Sequence, residues 1–250
     1  MHGQQRIWQE KRQEIETEDG KMVYNIAIDG PAGAGKSTIA KLVAKELSFI
    51  YVDTGAMYRA MALYLLKNGV NKENAEEISK VCKNAEISIE YRDGVQIVLL
   101  NGENVNAYLR TEEVGNMASV SSANPDVRAK LLELQRSLAA KQSVVMDGRD
   151  IGTTILPNAE VKVYLTASSV TRAKRRYLEL TEKGIACDIA EIQRDIEERD
   201  ARDMNREISP LRQAEDAVLV DSSEMSIEKV VKAILQIYEE KVVKKNTEME

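Results

Sequence analysis

The chain carries one histidine in 250 residues, and that residue, His2, stands almost at its start. Such scarcity removes the Ser-His triad, the histidine-ligated metal centre and the histidine general base together. Cysteine is nearly as rare. Cys82 and Cys187 lie far apart with no second ligand beside either, so neither a disulfide framework nor a zinc pattern fits, and a reducing cytoplasm is the expected compartment. No apolar run approaches the length of a membrane span, and no apolar leader segment follows the first residues. A surplus of positive charge is also missing. The net charge of −6 argues against the broad basic face that a polynucleotide needs. A few arginines can still dominate one cleft, so a small anionic substrate remains open. Neither a polynucleotide nor a membrane is an expected partner, and a monomer is expected.

With 43% apolar and 30% charged residues, the chain has the composition of a globular protein. Residues 1–20 read as a polar, flexible tail, and Met22, just before the first strand, suggests a translation start. Tyr24 to Asp29 reads as a buried parallel strand, followed by a helix from Lys36 to Leu47 with Ile39, Leu42, Val43 and Leu47 on one face. Ile50 to Val52 reads as a strand, and helices are expected over Met57–Leu66 and Ala75–Lys83. The character then changes. Ile87 to Tyr91 and Val95 to Leu100, with Asp93-Gly94 and Asn101-Gly102 turns, predict an antiparallel meander. Asn124-Pro125-Asp126 starts a helix running to about Ala140. Ser143–Met146, Val161–Leu165 and Ala217–Val220 read as further strands, a charged helical stretch spans Thr171–Asn205, and a last helix spans Ser226–Lys241. The expected fold is α/β: a parallel sheet covered by helices on both faces, interrupted by an inserted lobe and a helical lid.

Between the first strand and the first helix stands Gly30-Pro31-Ala32-Gly33-Ala34-Gly35-Lys36-Ser37-Thr38. This is Gly-x-x-x-x-Gly-Lys-Ser in the strand–loop–helix setting of a P-loop NTPase-type sheet. Its glycines let successive N–H groups and the helix N-terminus wrap a phosphate. Lys36 can reach the outer phosphates and the Ser37 hydroxyl a bound Mg²⁺, directly or through water. Residues 30–38 are therefore expected to bind a nucleoside triphosphate.

Two further segments follow buried strands at the edge where ligands of open α/β sheets collect: Asp53-Thr54-Gly55-Ala56-Met57-Tyr58-Arg59 and Asp147-Gly148-Arg149-Asp150. In the charged stretch Arg199, Arg202 and Arg206 fall within a sector of about 60°. Arg172, Arg175 and Arg176 make a second one-sided set. Interleaved acids would suit a solvated face, but beside a phosphate loop these arginines read as a lid that swings over a moving phosphoryl group. Asp147 is a weaker candidate for holding magnesium-bound waters, a plain turn aspartate being the alternative.

Ile28 to Ser37, Asp53 to Arg59, Asp147 to Thr153 and Glu198 to Arg206 together resemble the bacterial cytidylate kinases, within the nucleoside monophosphate kinases. The resemblance runs from about residue 23 to residue 238. It implies transfer of the γ-phosphoryl group of ATP to CMP or dCMP, with Mg²⁺ as cofactor, in pyrimidine nucleotide metabolism. It implies that Arg59, Arg149 and Arg206 address the acceptor phosphate, that Ser119, Arg128 and Asp150 read the cytosine edge, and that Arg199 and Asp203 lie near the ribose. Thr54 stands where the family carries Ser or Thr in the CMP site. Lys36, Arg149, Arg199 and Arg206 form the implied catalytic set. The implied organisation is a single kinase domain over 21–241, with core segments 21–70, 106–168 and 210–241, a monophosphate-binding insert at about 71–105, a lid at about 169–209 and a charged tail at 242–250. Two other readings stay open from the residues alone: a kinase of hydroxyl acceptors using Asp150 as base, and a nucleotide-dependent switch. The switch lacks a guanine-reading Asn-Lys-x-Asp, since Asn71-Lys72-Glu73-Asn74 is misplaced and has no Asp.

Overall fold

The computed structural model describes residues 22–243; the expected tail over residues 1–20, His2 and residues 244–250 lie outside it. Strand β1 (Asn25–Asp29) is the middle of a five-stranded sheet of order β2-β6-β1-β7-β8, formed with β2 (Ile50–Asp53), β6 (Val144–Gly148), β7 (Val161–Thr166) and β8 (Val218–Asp221). Every pairing is parallel, so all five C-terminal ends meet at one edge. Alternate residues of a strand serve opposite faces. Ile26 and Ile28 pack with Ile39 and Val43 of α1 (Lys36–Leu47) and with Val230 and Ile234 of α8 (Ile227–Tyr238). Ala27 and Met146 pack on the other side with Met57, Met61 and Leu65 of α2 (Thr54–Lys67), Val114 and Met117 of α4 (Glu112–Ser121), and Val127 and Leu131 of α5 (Pro125–Lys141). The expected parallel sheet between two helical layers is thus borne out.

Helix α3 (Ala75–Val81) leads into the separate antiparallel sheet of β3 (Ile87–Arg92), β4 (Val95–Leu100) and β5 (Glu103–Asn104). Asp93 and Gly94 both take positive φ, 53° and 73°, which matches the right-handed twist of the hairpin they close. This sheet is tied to the edge strand β2 by side chains. Gln96 Oε1 accepts from the Asp53 N–H at 2.9 Å while its Nε2 donates to the Asp53 carbonyl at 3.1 Å, so one amide stands in for a strand. The Tyr91 hydroxyl donates to the Tyr51 carbonyl at 3.1 Å.

Several local expectations change. The charged stretch is two packed helices, α6 (Ser169–Glu182) and α7 (Ile189–Asn205), rather than one. Gly184 at φ 72° ends the first, and the Asp188 carboxylate caps the second through the Glu191 N–H. Helix α4 stands where no element was expected, capped by Thr111 with Glu112 and Glu113 in its first turn. Helix α2 starts three residues early because Asp53 caps the Ala56 N–H at 2.9 Å. Strand β6 runs on through Asp147 to Gly148 and a π-turn follows at Ile151–Ile155. Helix α8 is shorter than expected and passes into a π-turn at Glu239–Val243.

Candidate active site

The glycine loop leaves β1 at Asp29 and enters α1 at Lys36, at the edge where the parallel strands end. Gly30 cannot be anything larger: a Cβ there would sit 1.9 Å from the Leu165 carbonyl oxygen of β7. Gly35, left-handed at φ 87°, is the N-cap of α1 and directs its first N–H groups into the loop. The Lys36 ammonium is buried and donates to the Pro31 carbonyl of its own loop at 2.8 Å. Burial, then the charge of Arg149, push its pKa down to about 7, against the pull of Asp147, Asp29 and Asp203.

Ser37 Oγ donates to Asp147 Oδ2 at 2.9 Å, and the Tyr51 hydroxyl donates to Asp147 Oδ1 at 2.9 Å. Burial, then the Asp53 charge, raise the Asp147 carboxyl to about 6, opposed by Lys36 and these two hydroxyls. The pair presents hard oxygen donors beside the phosphate loop, which suits Mg²⁺ held partly through water. Among the described residues no three His, Cys, Asp or Glu side chains converge as a metal cage.

Beyond the lysine the charge is strongly positive. Arg149 projects from the end of β6 and donates through Nε to Asp203 Oδ2 of α7 at 2.8 Å. Burial pushes the Asp203 carboxyl up, but Arg149, Arg199 and Arg206 outweigh it and hold the group below its ordinary value. Arg59 of α2 and Arg199 of α7 both have lowered pKa values, first through burial and then through nearby charges, Arg149 among them. Arg199 falls to about 10, and its buried Nε has no hydrogen-bond partner among the described residues. The charge of Arg149 therefore acts on Lys36, Arg59 and Arg199 alike, a repulsion that an entering anion relieves.

A second network adjoins the first. The Asp150 carboxylate pairs with Arg128 of α5 and, at 3.4 Å, with Arg206. Arg128 also donates to the Ser122 carbonyl at 3.2 Å and lies 5.7 Å from the centre of the Tyr58 ring. Ser119 of α4 is one turn from that carbonyl, and its buried Oγ has no hydrogen-bond partner among the described residues.

The cytidylate kinase family profile matches residues 26–240. A protein named Cytidylate kinase from Caldicellulosiruptor bescii is 50% identical over 220 residues, covering 88% of this chain and 97% of the relative. Cytidylate kinases from Carboxydothermus hydrogenoformans and Lactobacillus johnsonii are 50% and 48% identical, covering 85% and 88% of this chain. The chain belongs to the cytidylate kinase family.

Within this member of the cytidylate kinase family, the other arginines divide. Arg172 is buried, pairs with Asp200 at 2.6 Å and donates to the Ala32 carbonyl at 2.9 Å, so it braces the phosphate loop. Arg175 donates to the Ser222 carbonyl and Arg176 pairs with Glu179, so the expected one-sided set does not act as one. Arg202 is exposed. Thr54 Oγ1 donates to the Asp147 carbonyl at 2.7 Å, joining β6 to the start of α2. Sequence reasoning missed Tyr51, Gln96 and the bracing by Arg172, whose partners are remote in the chain. Asp29 alone carried a signal, its position directly before the glycine loop.

Proposed function

We propose that this site transfers the γ-phosphoryl group of ATP to CMP or dCMP, giving CDP or dCDP. The observation that carries the reading is the set of Lys36, Arg59, Arg149 and Arg199, linked through the Arg149 charge, beside the buried Arg128–Asp150–Arg206 network. Together the two groups suit two facing phosphates, the ribose beside them and a polar base edge. Backbone N–H groups of the loop 30–38, Pro31 excepted, hold the triphosphate, and Lys36 neutralises its outer phosphates. Arg59, Arg149 and Arg206 hold the acceptor phosphate, while Arg199 and Asp203 flank the ribose. Ser37 and Asp147 would hold Mg²⁺, which when bound offsets charge on the donor phosphates.

The acceptor phosphate is already an anionic nucleophile, so no general base is required and the chemistry rests on positioning and charge neutralisation. A hydroxyl acceptor would need a base. Asp150, the residue considered for that base, instead pairs with Arg128 and Arg206. Cytosine offers an amine donor and a ring-nitrogen acceptor. Asp150 or Ser119 accepts from the amine and Arg128 donates to the ring nitrogen, whereas uracil reverses both. Two buried polar groups left unpaired, at about 1–3 kcal/mol each, give a preference of roughly a hundredfold or more.

In this reading 21–241 acts as one kinase domain, 71–105 as its monophosphate insert and 169–209 as its lid. It works as a monomer in the cytoplasm, a setting compatible with the free thiols of Cys82 and Cys187. No helix among the described residues is long and apolar enough to cross a membrane. A coupled assay of every nucleoside monophosphate with ATP and Mg²⁺ tests the proposal. CMP and dCMP should dominate; equal use of UMP, or of hydroxyl acceptors, overturns it.

A further inference from the structure

Asp150 occupies the N-cap position of the turn Ile151–Ile155, yet its side chain makes no capping hydrogen bond. An aspartate there ordinarily folds back onto the N–H groups of its own turn. Two of those groups are already taken. Asp29 Oδ1 accepts from the Ile151 N–H at 2.8 Å, and Asp29 Oδ2 accepts from the Gly152 N–H at 2.7 Å, reaching across more than 120 residues of sequence. Asp29 is the last residue of β1, is buried, and otherwise acts in the site only through its charge on Lys36. The fit is close. A Cβ on Gly152 would come within 3.4 Å of Asp29 Oδ2 and 3.1 Å of the Lys162 Cδ methylene. Burial raises the Asp29 carboxyl to about 6 and the neighbouring Asp150 charge adds to this, so the two carboxylates repel. Repulsion and occupancy act in the same direction, keeping Asp150 off its own turn.

We propose that Asp29 is a positioning residue for base selection: by capping the turn in place of Asp150, it frees the Asp150 carboxylate to face Arg128, Arg206 and the base of the acceptor. The inference rests on the reading of Asp150 as a cytosine-reading group. It gives the residue before the glycine loop a function at the acceptor end of the site, where a donor-loop residue would otherwise have none.

The test is the ratio of kcat/KM for CMP to that for UMP in the full chain. Asp29→Asn keeps the shape but turns an amide N–H₂ towards one backbone N–H, releasing that group for Asp150. The ratio should fall about tenfold, the worth of one hydrogen bond to a charged group. On an Asp150→Asn background, the same substitution should produce no further fall. Gly152→Ala presses on the same contact without altering a charge, and should lower the ratio even if Asp29→Asn fails to fold. If Asp150→Asn lowers the ratio while Asp29→Asn and Gly152→Ala leave it unchanged, the positioning role is overturned and the base-reading assignment stands. If Asp150→Asn itself leaves the ratio unchanged, both are overturned. Equal losses with CMP and UMP in Asp29→Asn reduce its part to general structure and likewise overturn the proposal.

Discussion

Arg149 and Asp203 form an ion pair, Nε to Oδ2 at 2.8 Å, between residues 54 apart in sequence. The pair joins the end of the central sheet to the second helix of the charged excursion, and neighbouring guanidiniums keep the carboxylate ionised despite its burial. Removing Asp203 leaves Arg149 without this restraint inside a crowd of like charges. Asp203→Ala is expected to lower kcat/KM for CMP about a hundredfold, equivalent to about 3 kcal/mol. Steady-state kinetics with CMP varied is the check, and wild-type values would reduce the pair to packing.

Lys36→Ala should leave the fold intact, because the ammonium is desolvated and its one hydrogen bond within the described residues goes to its own loop. Turnover should fall by about a hundredfold to a thousandfold, the scale of losing one preorganised charge at the developing transition state. Thermal melting beside kcat separates the two effects; unchanged turnover would take the loop out of the mechanism.

A pH profile of kcat/KM reports groups of the free enzyme. Asp147 is raised to about 6 and Lys36 lowered to about 7, both first by burial. Below the first value the carboxyl holds a proton and cannot hold Mg²⁺; above the second the lysine loses its charge. Activity should therefore climb as pH rises through about 6 and decline above about 7, a narrow bell. A plateau running from about pH 5 to pH 9 would contradict these assignments.

Gly30→Ala places a methyl 1.9 Å from a backbone oxygen that cannot rotate away. Strand β7 and the loop would have to part, and a loss of about 4 kcal/mol or more is expected. Urea unfolding measures it directly. A variant as stable as the parent would show that the turn relaxes without strain.

The connection 183–188 between α6 and α7 is largely exposed and centred on a left-handed glycine. Closure over two nucleotides should slow protease cutting there, since excluding water requires the excursion to settle on the site. Limited proteolysis with ATP analogue and CMP, singly and together, gives the comparison. Equal cutting rates in all cases would count against a moving lid.

Features that depend on neighbouring residues were readable from the chain. The glycine loop was, because its backbone conformation, lysine and serine lie within one segment. The Asp93-Gly94 hairpin and the Asn124-Pro125 helix start were readable for the same reason, as turn and cap chemistry are local. Helix α4 had its Thr111 cap and two glutamates in view but lacked the strong apolar periodicity that announces a helix. The division of α6 from α7 was signalled by Gly184 and Asp188, and was overridden by the continuous charge pattern around them.

The sequence by itself determined that a phosphate loop follows a buried strand, and that arginines of other segments collect at the same sheet edge. Only the tertiary structure decided which arginines face that site and which brace the fold: Arg149 beside Lys36, Arg172 on the Ala32 carbonyl, Arg175 on Ser222. The reason is physical. A loop conformation is set by the torsional freedom of a few adjacent residues, whereas a guanidinium on a long side chain settles wherever folding has brought carboxylates and carbonyls within reach.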